Sequence, residues 1–177
     1  MRYLVLALVF LCSAGVHAAP LPPPSVCFRP GKVHCDELIA QAIAGATKSI
    51  DVLAYGFTNT IIATALVEAS GRGVNVRAVL DGKSNGPRKG RNYSAATFLM
   101  NAGVPVRLDY TVAIAHNKVM VIDGNLVITG SFNFTQAAEK SNAENALLLS
   151  NPGLAQDYQR YFESRWLIAT DYATVRQ

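Results

Sequence analysis

Between about residue 36 and residue 169, short apolar runs of strand length alternate with segments of helical spacing, which limits the chain to a sheet covered by helices. The clearest run is 74–80, nearly continuous in apolar residues after Gly71-Arg72-Gly73, as in a strand buried on both faces. Before it, residues 36–46 have helical spacing with Leu38, Ile39, Ala42 and Ile43 on one face. Residues 49–55 read as a strand, and Thr58 reads as the cap of a helix that runs to about Ser70. After it come a helix over 93–101, ended by Gly103, and a short strand over 104–108. Two strands, 115–122 and 126–129, flank the hairpin signal Asp123-Gly124-Asn125. Residues 145–149 form a further strand, and Pro152 opens a last helix that ends near Ala169. The expected fold is α/β, a mixed β-sheet sandwiched between helices, in one domain with no internal repeat.

Half of the 177 residues are hydrophobic and 16% are charged, which excludes a disordered or collagen-like chain. A single long apolar run excludes a polytopic membrane protein, and that run lies at the N-terminus. Met1-Arg2 supplies a positive start, residues 3–12 are apolar, and Val16 and Ala18 suit the −3 and −1 positions of a signal-peptidase site. Residues 1–18 are therefore expected to be a secretory signal, cleaved after Ala18. Its core is short for a bilayer span, so no stable membrane insertion is expected after cleavage. The product is an exported protein, periplasmic or secreted. Residues 19–32 are proline-rich and read as an extended leader, and 33–177 carry the domain. Cys27 and Cys35 form an even pair in an exported chain, so a disulfide is expected. His34 lies between them, but no fourth ligand stands at a zinc-like spacing, and no metal or cofactor is expected.

The chemistry gathers at the hairpin. His116 and Lys118, two apart on one predicted strand, share a face, as do Ser131 and Asn133 beyond the other. A Gly124-Asn125 loop sets His116 opposite Asn133 and Lys118 opposite Ser131; an Asp123-Gly124 loop sets His116 opposite Ser131. Either register brings an imidazole, an ammonium, a hydroxyl and a carboxamide onto one patch. Such a set suits a phosphate ester: Lys118, Asn133 and Ser131 donate to non-bridging oxygens, and His116 attacks phosphorus or protonates a leaving oxygen. Glu144 is the candidate carboxylate to fix the tautomer of the imidazole.

His116-Asn117-Lys118, four residues, Asp123, six residues and Gly130-Ser131-Phe132-Asn133 match H-x-K-x4-D-x6-G-S-x-N without a gap. The chain thereby resembles the phospholipase D superfamily. With Tyr55-Gly56-Phe57-Thr58, Gly71-Arg72-Gly73-Val74 and Asn142-Ala143-Glu144-Asn145, it is similar to the bacterial Nuc-type endonucleases over essentially residues 33–170. The resemblance implies a phospholipase D-like fold and a metal-independent phosphodiesterase. Short members of the family complete their site by homodimerisation, so one motif implies a symmetric dimer with the site at the subunit interface. It further implies a phosphohistidine on His116, phosphate binding by Lys118 and Asn133, Ser131 as the motif serine, and Glu144 as the histidine-orienting acid. Asp123 matches the motif aspartate and joins the catalytic set on that ground, while its place in the turn points to a structural role.

The family covers nucleic-acid and lipid phosphodiesters. Residues 83–91 form a loop with Lys83, Arg88, Lys89 and Arg91, suited to track a polyanionic backbone. The expected function is a sequence-nonspecific endonuclease acting on DNA, with RNA as a further substrate. A phospholipase is the alternative, and it calls for an apolar or aromatic membrane-facing surface.

Overall fold

The computed structural model describes residues 23–87 and 94–175. In chain order the elements are β1 (Ser25–Arg29), α1 (Cys35–Ala44), β2 (Ser49–Ala54), α2 (Thr60–Gly71), β3 (Asn75–Asp81), α3 (Gly82–Asn85), α4 (Ala95–Asn101), β4 (Val106–Asp109), β5 (Lys118–Ile122), β6 (Leu126–Gly130), α5 (Gln136–Lys140), β7 (Glu144–Ser150), α6 (Pro152–Ile168), β8 (Thr170–Asp171) and α7 (Tyr172–Val175). The strands make one sheet in the order β1-β7-β6-β5-β2-β3-β4-β8. β2, β3 and β4 are parallel, and the remaining pairings are antiparallel, so the sheet is mixed, as expected.

Two apolar faces explain the near-continuous strands. Ile50, Val52 and Ala54 of β2 and Val76, Ala78 and Leu80 of β3 point into the larger core beneath α1, α2 and α4. Leu53 and Val79 point the other way, where Ala155 and Phe162 of α6 cover them. Buried Asp51 also lies on the α6 face, where Arg77 donates to it from Nε (2.8 Å) and reaches Glu163 through Nη2 (2.6 Å). The Arg77 guanidinium stacks 4.7 Å from the Phe162 ring centroid, so the charge sits in a paired, partly aromatic setting.

Several local expectations are corrected. Asn59 caps α2, accepting from Ile62 N at 3.1 Å, while its Nδ2 donates to buried Asp36 Oδ2 at 2.9 Å. The Thr58 hydroxyl accepts from Gln136 N instead. The proline-rich leader contains a strand, β1, which pairs antiparallel with β7. The prolines stand outside that strand, and β1 is an edge strand with one ladder to satisfy, so they do not block it. A disulfide joins Cys27 in β1 to Cys35 at the start of α1, with Cα atoms 5.5 Å apart. The signal segment, residues 1–18, and the start of the leader lie outside the described residues.

The hairpin departs from both expected registers. β5 begins at Lys118, not at 115, and pairs with β6 from Ile122↔Leu126 to Val119↔Thr129. Asp123, Gly124 and Asn125 thus form a three-residue loop, with φ of 54° at Asp123 and 64° at Gly124. One residue more than either expected loop reverses the pairing parity, so face-sharing does not assemble the patch. The Asp123 carboxylate explains the turn: it accepts from Thr47 N, Thr47 Oγ1, Lys48 N and Ser49 N at 2.8–2.9 Å.

Candidate active site

One end of the sheet collects the C-termini of β2, β3 and β6 and the N-termini of β5 and β7. His116 is exposed and stands two residues ahead of β5. Its backbone is nonetheless fixed on both sides. Ala115 N donates to buried Asp81 Oδ2, and Asn117 O accepts from Tyr55 N, both at 2.8 Å. The imidazole packs against the Tyr55 ring with centroids 4.8 Å apart and planes at 67°.

Lys118 opens β5 opposite Ala54, half-buried, with Nζ donating to His116 O at 3.4 Å. Burial pushes its ammonium below the usual lysine range, and the nearby Glu144 charge only partly offsets this. Ser131 Oγ donates to Glu144 Oε2 at 2.5 Å and accepts from Asn145 N at 3.1 Å. Asn142 Nδ2 donates to the other Glu144 oxygen at 3.0 Å.

Asn133 follows β6 on a segment that bridges in parallel to the residues after β2, with Phe134 opposite Phe57. Its Oδ1 is buried without a hydrogen-bond partner among the described residues. Buried amide oxygens are rarely left so, and here the amide stands at the same sheet end as His116 and Lys118.

His116, Lys118, Ser131, Asn133 and Glu144 are therefore gathered at one end, and Asp123, which the motif had joined to the catalytic set, holds the turn as its position there suggested. Asp123 lies at the opposite end of β5, roughly 16 Å along the strand, and belongs to the turn rather than to the catalytic set. Burial alone would raise the Asp123 pKa, but the amides of Ser49, Thr47 and Lys48 and the Thr47 hydroxyl hold it below the usual carboxylate value. Glu144, the acid expected to orient the imidazole, opens β7 two strands from β5, and its two oxygens accept from Ser131 Oγ and Asn142 Nδ2. Among the described residues no carboxylate bonds to the imidazole. Lys83 sits in α3 and donates from Nζ to Ala113 O on the segment leading to His116, at 3.3 Å. Arg88, Lys89 and Arg91 lie outside the described residues.

Residues that no motif reading had given a role complete the surroundings. Tyr55 follows β2, Asp81 closes β3 and Asn85 closes α3; the Tyr55-Gly56-Phe57-Thr58 segment carried the resemblance without assigning its tyrosine a role. A cleft of about 200 Å³ beside His116 is lined by Asp109, Val112, Ile114, Tyr161 and Arg165. Arg165 is held there by Asp109 and by Thr111 Oγ1 at 2.6 Å.

Toward the β1 edge of the sheet, His34, Asp36 and Glu139 bring potential metal-ligand atoms within 4.8 Å of one another. Arg29 Nε already sits 3.0 Å from Glu139 Oε1, His34 Nδ1 lies 2.8 Å from the same oxygen, and the amides of Cys35 and Asp36 take Oε2. A cation there would face the Arg29 guanidinium, so the cluster reads as the anchor of α1.

The family described as "Cardiolipin synthase, PLD-like domain" matches residues 39–166. A phospholipase D of Rickettsia conorii is 44% identical over 141 residues, covering 80% of this chain and 68% of the relative. A mitochondrial cardiolipin hydrolase of Chlamydomonas reinhardtii is 34% identical over 124 residues, covering 70% of this chain and 54% of the relative. The chain thus spans about two thirds of the first relative and about half of the second. Among solved structures, Nuc from Salmonella typhimurium, a phospholipase D family member, superposes with a TM-score of 0.76 at 38% identity, covering 85% of this chain and 99% of Nuc.

Proposed function

The chain belongs to the phospholipase D superfamily and is a phosphodiesterase of that superfamily; from that premise we propose that it is a sequence-nonspecific endonuclease that hydrolyses DNA without a metal, through a phosphohistidine. The observation that carries the reading is the gathering of exposed His116, half-buried Lys118, the Asn133 amide with its unpartnered Oδ1 and the Ser131–Glu144 pair at one sheet end. In the reaction, neutral His116 attacks phosphorus, the P–N bond forms, and the P–O bond to the leaving nucleoside breaks. The partner's His116 gives that oxygen its proton. Water then attacks the phosphohistidine, gives a proton to the partner's imidazole and restores both histidines. Lys118 offsets charge on the non-bridging oxygens, the Asn133 Nδ2 donates to them, and Ser131, whose hydroxyl proton goes to Glu144, holds that carboxylate beside the site.

The second histidine comes from a symmetric dimer, since the chain carries one motif and the mechanism needs an acid and a nucleophile at once. DNA is favoured by the similarity to Nuc along nearly its whole length and by the cations at 83–91. Export through residues 1–18 is part of the same reading. A phospholipid substrate has its own support: Val112, Ile114 and Tyr161 are exposed in the cleft beside His116, and the Rickettsia relative is named phospholipase D.

Plasmid DNA digested in EDTA, beside His116→Ala and beside phosphatidylcholine and cardiolipin vesicles, separates the two. Degradation of DNA by the wild type alone is the expected result. Intact DNA with cleaved lipid would move the substrate to the second reading, and an active His116→Ala would remove the nucleophile.

A further inference from the structure

The imidazole of a nucleophilic histidine must present its lone pair in line with phosphorus, and among the described residues no carboxylate bonds to that ring. What does touch the ring is Tyr55, 4.8 Å away edge to face. The same ring lies 5.5 Å from Lys118 Nζ, within reach of a cation–π attraction. Tyr55 is itself anchored. Buried Asn85 donates from Nδ2 to Tyr55 O and to Asp81 O (3.0 Å), and its Oδ1 accepts from Phe57 N (3.1 Å). Asp81, also buried, accepts from Ala115 N, so one polar hub fixes both the tyrosine and the backbone before His116. The phenol hydroxyl has no hydrogen-bond partner among the described residues, which leaves the ring face as the part that acts.

We propose that Tyr55 is a positioning residue for phosphoryl transfer: its ring holds the His116 imidazole in the attacking orientation and keeps the Lys118 ammonium beside it. The inference rests on His116 as the nucleophile. Asn85 and Asp81 serve it by holding the tyrosine and the 115–117 backbone in place.

The test uses bis(p-nitrophenyl) phosphate, a phosphodiester with neither base nor acyl chain, and the variants Tyr55→Leu and Tyr55→Phe. A misdirected imidazole lowers kcat, so Tyr55→Leu is expected to lose roughly ten- to a hundredfold in kcat with KM within about threefold. Tyr55→Phe keeps the ring and is expected to recover kcat to within about threefold of the wild type. A measurement without turnover accompanies these: the His116 ring-proton resonance is displaced by the aromatic neighbour in the wild type and Tyr55→Phe, and returns toward its free value in Tyr55→Leu. Wild-type kcat in folded Tyr55→Leu overturns the proposal. So does a Tyr55→Phe as impaired as the leucine variant, or a loss confined to KM. If Tyr55→Leu does not fold, an undisplaced His116 resonance in the wild type and Tyr55→Phe overturns it instead. Failure of the underlying reading looks different, because His116→Ala would then hydrolyse the same ester at the wild-type rate.

Discussion

Lys118 shows how a single residue divides between function and stability. Burial lowers the affinity of its amine for a proton, so the folded pKa lies below the unfolded value near 10.4. Holding the charge therefore costs stability at neutral pH, and the cost is relieved as pH climbs through the folded value. Lys118→Met is expected to abolish phosphodiesterase turnover while leaving the thermal midpoint equal to or above that of the wild type; a clear fall in the midpoint would contradict this. Asp123 behaves in the opposite sense. Its folded pKa is depressed, so its contribution is present above the unfolded value near 3.9 and is lost as pH falls through the folded one. Asp123→Asn should lose about 1–2 kcal/mol at pH 7 in a denaturant titration, and the difference should vanish in acid. Turnover per folded molecule should persist, because the turn is remote from His116. The motif made both residues visible in the sequence. The motif alone put both in the catalytic set, and it was the turn signal at Asp123-Gly124-Asn125 that pointed to the separate role of the aspartate. Tyr55 was visible only as part of the Tyr55-Gly56-Phe57-Thr58 segment, and Asn85 not at all, because a ring contact and bonds to backbone leave no spacing that tells a role.

At the scale of elements, the parallel strands were legible as near-continuous apolar runs buried on both faces, as in 74–80, and α6 from Pro152 at its start. The elements that were missed are short or flanked by proline. β8 has two residues, α3 four and α5 five, too few for any period to repeat. β1 was missed because prolines crowd its ends, although its strand pairs along only one edge. The disulfide joins this edge strand, three strands from β5, to α1. Replacing Cys27 and Cys35 by alanine is expected to cost roughly 2–3 kcal/mol in chemical denaturation without changing kcat on a small phosphodiester. A loss of kcat at a temperature where the variant stays folded would tie β1 to the site. The hairpin misreading has a similar cause: the Asp123-Gly124-Asn125 signal admits loops of two or three residues. Here the bonds from Thr47, Lys48 and Ser49, remote in sequence, accompany the longer one.

For the whole molecule, the proposed chemistry requires two copies of the chain at one phosphate. Co-refolding wild type with His116→Ala in varied ratio then gives activity that falls as the square of the wild-type fraction, since only wild-type pairs hold both histidines. A linear fall would mean that each chain works alone. The central claim is the covalent intermediate, and rapid acid-free quenching followed by mass spectrometry of the His116 peptide tests it most directly. With bis(p-nitrophenyl) phosphate as substrate, a nitrophenyl-phosphoryl adduct on His116, stable in alkali and absent from His116→Ala, is the predicted result. An adduct on Ser131, or steady turnover with no adduct on any histidine, would contradict it.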